Sequence, residues 1–446
     1  MDFSLDDAAS SVNPEHRQLI GFRNMAPYIK SHRNRTFVIY LGDGALDSRG
    51  LMPLIHDLAL LQSLGIRLVL VHATRSAIEA ELTQRGVAGT LHRGVRVTDQ
   101  RMLEIVRQVT AAQRVQLESL LSMGLPNSPM RGARLRVISG NFITARPLGV
   151  VDGVDFLFTG AVRRIDAGGM MSALEDNAIV LLSPLGFSAT GEVFNLASDE
   201  LATAAAASIG ADKLIIMGHH DGLHNANGEL IRQCTVDEAA ALRLQEAELQ
   251  SARDAACRAC HQGVPRAHLI SYARDGALLA ELFTHDGAGT LISHEDYEQV
   301  RRAGMDDIAG VIELVQPLEE TGVLVRRSRE RLEQEIDRFR VLERDGRVIA
   351  CAALYPFADT GTAEIACIAT HPDYRCNGRG ERLLHMLCDE ARAAGIDRVF
   401  VLTTQTTHWF VEQGFSEVDL DTLPDERQRL YNLQRNSKVL ERRLEQ

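Results

Sequence analysis

EIACIATHPDYRCNGRGERLL, residues 364–384, runs from an apolar stretch through a glycine-bearing loop into the start of an amphipathic helix. The helix is predicted from Leu383, Leu384, Leu387, Cys388 and Ala391, which share one face, and from Gly395, placed to end it. Gly378 and Gly380 stand one residue apart beside Arg375 and Arg379. Closely set glycines let backbone N–H groups converge without Cβ interference. A helix start adds free donors and a partial positive charge. Strand, glycine loop and helix together make an anion cradle, most often for phosphate. A plain glycine turn is the simpler alternative, so the neighbouring residues decide.

The chain of 446 residues exceeds one compact core, which implies two or three domains. A formal charge of −12 argues against a phosphate-backbone binder, so no nucleic-acid partner is expected. No run approaches the roughly 18 apolar residues of a membrane span. The acidic start MDFSLDDAASS lacks the apolar stretch of a signal peptide. Seven scattered cysteines, an odd count, suggest free thiols and a cytoplasmic protein. Cys257-Arg-Ala-Cys260-His261 spells the C-x-x-C-H of haem attachment. That reading needs export, and the segment lies in an alanine-rich helical run; buried or idle thiols are expected there, and no metal.

Residues 1–35 form an N-terminal segment in which PEHRQLIGFRNMAPYIKSH reads as an amphipathic helix, with Leu19, Phe22, Ala26 and Ile29 on one face. It serves either as a docking arm or as packing for its own domain. From 36 to 290, apolar strands (FVIYLG, RLVLVH, RLRVIS, NAIVLLSP, DKLIIMG, AHLISY) alternate with helical runs. The fold class is therefore α/β, with a largely parallel sheet covered by helices on both faces. Turn residues near 284–300 mark a boundary. The second unit, 296–446, opens with two helical stretches, MDDIAGVIELVQPLEETG and RSRERLEQEIDRFRVLE, before its strands begin.

The strand EIACIATHP, the R-x-x-G-x-G of Arg375, Gly378 and Gly380, and the later WFVEQGF resemble the acyl-CoA site of the GCN5-related N-acetyltransferases. The loop lacks the G-x-G-x-x-G spacing of a dinucleotide site. Over the last 150 residues, LVRRSRE, AEIACIATHPDYR, FVLTTQTTHWFVEQGF and LPDERQRLYNLQRNSKVL resemble the bacterial N-acetylglutamate synthases. Residues 36–290 resemble the amino acid kinase fold, and kinase-like domain followed by acetyltransferase domain is that family's architecture. The resemblance implies acetyl transfer from acetyl-CoA, the co-substrate, to the α-amine of L-glutamate, the first step of arginine biosynthesis. It further implies inhibition by L-arginine and a homo-oligomer, a hexameric ring of dimers joined through the N-terminal helix.

Kinases of that fold carry a lysine in the opening strand–glycine turn, where VIYLGDG has Tyr40, and their G-G-M-x-P-K motif is missing. Phosphoryl transfer rests on electrostatic clamping, so this domain is expected to be catalytically dead and regulatory. Asn195 and Asp199 in FNLASD are read as fold residues. The resemblance of 268–292 to arginine-binding relatives implies that His268, Glu281 and Gly287 form the effector site, Glu281 meeting the guanidinium.

In the second unit Glu364 opens the strand that leads to the loop, where the superfamily often keeps its general base; an exposed strand-end carboxylate is the alternative. The resemblance assigns pantetheine pairing to Ile368, Ala369 and Thr370. It assigns the CoA phosphates to Arg375, Asn377, Gly378, Arg379 and Gly380. Arg327, Arg427 and Arg435 would hold the acceptor's carboxylates, with Arg326 and Arg429 as alternatives. Thr403 would offer a hydroxyl, and Cys367 a wall of the site with no covalent role. A tyrosine that protonates the thiolate in many relatives is replaced by Phe410, leaving His408 or Tyr431 to substitute, or no acid at all. Two other readings stay open: an arginine-sensing protein with an inactive acetyltransferase half, and a kinase-type enzyme with an appended acyl-binding domain.

Overall fold

The computed structural model describes residues 14–124, 131–132, 135–284, 286–294, 298–344, 347–375, 378–429, 431 and 437–444. The chain divides into two compact units, Met1–Asp296 and Tyr297–Gln446.

The first unit is built on an eight-stranded sheet. Its order runs Gln233–Thr235, Thr290–Ser293, Arg266–Ser271, Lys213–Gly218, Thr36–Leu41, Arg67–His72, Ala178–Leu182 and Arg136–Ile138. All neighbours pair parallel except Arg266–Ser271 with Thr290–Ser293. The central strands read as nearly continuous apolar runs because both faces are covered. Val38, Val69 and Ile216 pack into one core, while Phe37, Ile39 and Leu70 pack into another. A separate four-stranded sheet of Ile143–Pro147, Gly160–Ile165, Leu185–Phe187 and Val193–Asn195 was not foreseen, since its short, half-polar strands carry no clear apolar run.

The N-terminal helix spans Pro14–His32, but of its apolar stripe only Ile29 meets the core. Met25, Tyr28 and Ile29 pack on the core, and His32 Nε2 lies 2.8 Å from the Leu282 carbonyl. Leu19 and Phe22 remain 55% and 66% exposed. Cys257 and Cys260 are buried along the helix Ala247–His261, as free thiols. Among the described residues no cluster of His, Cys, Asp or Glu is arranged to hold a metal, and no helix is long and apolar enough to cross a membrane.

The second unit contains strands β1 (Gln299–Arg302), β2 (Phe339–Arg344), β3 (Arg347–Phe357), β4 (Thr362–Thr370), β5 (Arg398–Thr403), β6 (Ser416–Val418) and β7 (Lys438–Arg443). Its helices are α1 (Ile308–Glu320), α2 (Arg329–Glu335), α3 (Arg379–Ala393), α4 (Thr407–Glu412) and α5 (Asp425–Arg429). The sheet order is β1-β2-β3-β4-β5-β7-β6. Leu383, Leu384 and Leu387 of α3 pack on one face, and Val311, Leu314 and Val315 of α1 on the other. RSRERLEQEIDRFRVLE is not one helix. α2 stops at Glu335, a 3-10 turn follows, and FRVLE belongs to β2. Leu332, Ile336 and Phe339 sit at helical spacing and imitate a stripe, while buried Arg340 conceals the strand by pairing with Glu390.

Candidate active site

β4 and β5 run parallel only through Thr362–Arg398, Ala363–Val399 and Glu364–Phe400. Beyond that point no pairing joins them among the described residues, and the strands part. The cause lies on the other edge of β4, where the register against β3 shifts between Cys351 and Ala353. Two residues of β4, Cys367 and Ile368, there oppose one of β3, and Cys367 takes a left-handed φ of 55°. A bulge of this kind bends a strand and leaves polar backbone groups unpaired. The result is a cleft of about 560 Å3 between the diverging strands.

Ile368, Ala369 and Thr370 form one wall, Val401, Leu402 and Thr403 the other, and Gly378, Arg379 and Gly380 one end. Gly378 caps α3 with φ 66°, a conformation that favours glycine. A Cβ on Gly380 would lie 3.6 Å from the Trp409 ring, an ordinary van der Waals contact. Arg375 is exposed beside this loop. Arg379 faces the other way: it is buried, donates through Nε and Nη2 to Glu298, and through Nη1 to the Tyr374 carbonyl at 3.0 Å. Arg379 lines the cleft, while its guanidinium is committed to Glu298 and the Tyr374 carbonyl. Asn377 lies outside the described residues, as does Arg435.

Glu298 is thus a site residue that sequence patterns could not supply, standing 81 positions from its partner. Removing one member of a buried ion pair leaves the other uncompensated. Glu298→Gln is expected to destabilise this unit by about 3 kcal/mol and to raise the KM for acetyl-CoA several-fold, as urea midpoints and initial rates would register.

Glu364 sits where the strands begin to part, 8% exposed. It is not an exposed strand-end carboxylate: Arg427 donates to it through Nε at 2.6 Å and Nη2 at 3.0 Å. Arg327 contrasts with Arg427. Its Nε is buried without a hydrogen-bond partner, and Nη1 reaches only the Val325 carbonyl at 3.3 Å. Cys367, Tyr355, Glu335 and Glu364 supply the field around it. Tyr355, not singled out from sequence, donates to Glu335 at 2.7 Å. Burial pushes the Cys367 thiol up to about 11, more than Arg327 lowers it, so it stays protonated near neutrality.

Thr403 ends β5 and lies 2.8 Å from the Thr406 hydroxyl, accepting also from the Thr406 N–H at 3.0 Å. It therefore shapes the turn into α4 as well as the cleft wall. Phe410 is buried, His408 is exposed, and the Tyr431 hydroxyl donates to the Ser437 carbonyl at 2.5 Å.

In the first unit His268, Glu281 and Gly287 do come together. Lys213 Nζ lies 3.3 Å from His268 Nε2, and His268 Nδ1 lies 2.6 Å from Glu281. This fixes a relay in which Lys213 donates to a neutral imidazole, which donates to the carboxylate. Burial and the adjacent Lys213 charge push His268 down. Burial alone would raise Glu281, but hydrogen bonds from His268 and the Ala288 and Gly289 N–H groups outweigh it, bringing it to about 2. A Cβ at Gly287 would fall 2.6 Å from Glu281 Oε2, so only glycine fits there. Arg232 donates to the Gly287 carbonyl at 3.1 Å.

Around Tyr40 the chemistry is unlike that of a phosphate site. Its hydroxyl lies 3.1 Å from Ser198 Oγ, and burial, with Asp199, Asp43 and Glu248 nearby, pushes the phenol up. Asn195 donates to Thr98 at 3.1 Å, and Asp199 accepts from Ser251 at 2.8 Å.

A cleft opened by splaying two parallel strands, with a glycine loop and helix start at its end, defines an acyl-CoA-dependent N-acetyltransferase. Family models agree: residues 308–422 match the acetyltransferase (GNAT) family and 35–271 the amino acid kinase family. The chain is 52% identical over 424 residues to an amino-acid acetyltransferase of Azotobacter vinelandii, spanning 95% of this chain and 98% of that one. It is 51% identical, with the same coverage, to an amino-acid acetyltransferase of Pseudomonas aeruginosa. The chain belongs to the amino-acid acetyltransferase family. Among solved structures, N-acetylglutamate synthase from Neisseria gonorrhoeae complexed with coenzyme A and L-arginine is 38% identical, with a TM-score of 0.88 over 96% of this chain and 99% of that one. The same synthase with coenzyme A and N-acetylglutamate gives a TM-score of 0.62 at the same identity and coverage.

Proposed function

We infer that this chain transfers acetyl from acetyl-CoA to the α-amine of L-glutamate, opening arginine biosynthesis, and is inhibited by L-arginine. The observation that carries the acceptor assignment is the pair of arginines near Glu364, one with an unpartnered buried Nε and one forked on the carboxylate. Two guanidinium forks suit an acceptor with two carboxylates.

In this reading the Gly378–Gly380 amides and Arg375 hold the CoA diphosphate, and the edge of Ile368–Thr370 that faces β5, beyond the last β4–β5 pair, meets the pantetheine amides. Glu364 takes a proton from the substrate ammonium. The neutral amine attacks the thioester carbonyl, whose oxygen a backbone N–H near the Cys367–Ile368 bulge stabilises. The C–S bond then breaks. Of the two protons the ammonium gives up, one ends on the CoA thiol and the other leaves to solvent through Glu364. CoA is a good leaving group because thiol pKa values lie only slightly above neutrality. The protonated Cys367 thiol supports direct transfer to the amine, with no acyl-cysteine. Thr403 faces the same cleft, and Arg435 would add a further cation.

The first unit acts as the arginine sensor and transfers no phosphoryl group: neutral Tyr40, beside Asp199, Asp43 and Glu248, stands where the fold's kinases carry a lysine, so the cation that would clamp a nucleotide's phosphates is missing. Glu281, held well below the usual carboxylate range in a buried relay, supports an effector cation nearby. Glu281→Gln keeps hydrogen bonding but removes charge. It is expected to leave glutamate turnover within about two-fold and to raise the arginine concentration for half-inhibition about ten-fold; unchanged inhibition would move the effector elsewhere. The exposed Leu19 and Phe22 face of the N-terminal helix supports a homo-oligomer, for which the family resemblance implies a hexameric ring of dimers. Buried free thiols suit the cytoplasm. The test of the reading is CoA-thiol release across a panel of amino acids, where glutamate alone should give turnover.

A further inference from the structure

We propose that Arg427 is a substrate-operated latch on Glu364, so that the site is switched on by the carboxylate adjacent to the acceptor amine. The proposal rests on the glutamate reading above and goes beyond it by giving Arg427 a second task.

Both oxygens of Glu364 accept from the Arg427 fork, at 2.6 and 3.0 Å, in a site where the glutamate side chain is 11% and the arginine side chain 20% exposed. A general base must offer a lone pair to the ammonium it deprotonates. In the bidentate arrangement the lone pairs best placed to accept are engaged by Arg427. A simple amine entering this site therefore meets a carboxylate already paired.

An α-amino acid arrives with the means to open the pair. Its carboxylate is one carbon from its ammonium, so an ammonium set at Glu364 brings that carboxylate to the neighbouring guanidinium. One fork satisfies one carboxylate at a time. Arg427 moves from Glu364 to the substrate, and Glu364 turns to the ammonium; one ion pair becomes two, with no charge left over. Arg327 cannot serve as the latch, because its fork is not committed to Glu364 and its Nε has no partner. It is left for the acceptor's distal carboxylate. The same exchange selects against simple amines, since they lack the group that releases the base.

4-Aminobutyrate is glutamate without the carboxylate beside the amine, and it separates latching from simple binding. Initial rates of CoA-thiol release would be measured for wild type, Arg427→Gln and Arg427→Lys, with glutamate and with 4-aminobutyrate. With glutamate, Arg427→Gln is expected to lose about 10²-fold in kcat/KM, the value of a charge-assisted fork. With 4-aminobutyrate the same variant is expected to gain, by about ten-fold, because Glu364 is freed without help from the substrate. Arg427→Lys, which keeps the charge but not the fork, should move both acceptors the same way by smaller factors. Losses with both acceptors, in a variant whose unfolding midpoint matches wild type, would make Arg427 a support for Glu364 and overturn the latch. A loss with glutamate and no change with 4-aminobutyrate would make it a binding group alone and overturn it equally. If Arg427→Gln does not fold, the sign of the Arg427→Lys change with 4-aminobutyrate decides. Failure of the wild type to use glutamate would instead remove the acceptor reading beneath the proposal.

Discussion

Replacing Glu364 with glutamine is expected to lower kcat for acetyl transfer about 10²- to 10⁴-fold, the range that a positioned base contributes. The dissociation constant for CoA should stay within about two-fold, because the glycine loop and Ile368–Thr370 line a cleft of which Glu364 is not a lining residue. Glutamine preserves the shape but leaves Arg427 against an uncharged amide, so the unfolding midpoint should be recorded beside the rate. The two outcomes are separable by single-turnover rates and by calorimetric titration with CoA. A kcat within ten-fold of wild type would remove Glu364 from proton transfer.

Arg327→Ala should act on the acceptor in a different way. A half-buried guanidinium whose buried Nε has no partner gains a full charge-assisted fork when a carboxylate arrives. Losing that contact is worth about 2–3 kcal/mol, or roughly 30- to 150-fold in the KM for glutamate. The KM for acetyl-CoA should barely change. Truncation also removes a cation from beside Cys367, Tyr355, Glu335 and Glu364, so the thermal midpoint should be recorded alongside. Arg327→Lys is expected to recover only part of the affinity, since an ammonium cannot form the planar fork. Equal rises in the KM of both substrates would mean that Arg327 shapes the unit and does not meet the acceptor.

The α/β architecture was legible because its central strands are uninterrupted apolar runs and its helices carry clean apolar faces. The loop between β4 and α3 was legible for a local reason: its strand, glycines and helix are contiguous, so spacing alone carries the geometry. Glu364, Cys367 and Thr370 fell on one strand for the same reason. What escaped the sequence is pairing at a distance. Nothing local ties Arg379 to Glu298, and its neighbours suggested a phosphate contact where the guanidinium turns inward. Nor does any pattern join Arg427 to Glu364 across 63 positions. The bulge at Cys367 that opens the cleft is a matter of strand register, to which the alternation of side chains is blind. No pattern singles out Lys213 within DKLIIMG, yet it is buried and completes the His268–Glu281 relay. The N-terminal helix shows the reverse error. Its stripe was visible, but which face met the core depended on the partner surface, and Leu19 and Phe22 were left outside.

The measurement that bears most directly on the central claim is CoA-thiol release from acetyl-CoA with glutamate, repeated across other amino acids and with arginine added. Turnover that requires glutamate and is damped by arginine is the expected result. Binding of arginine with no turnover for any amine would contradict it, and would make the cleft between β4 and β5 part of a sensor that no longer catalyses.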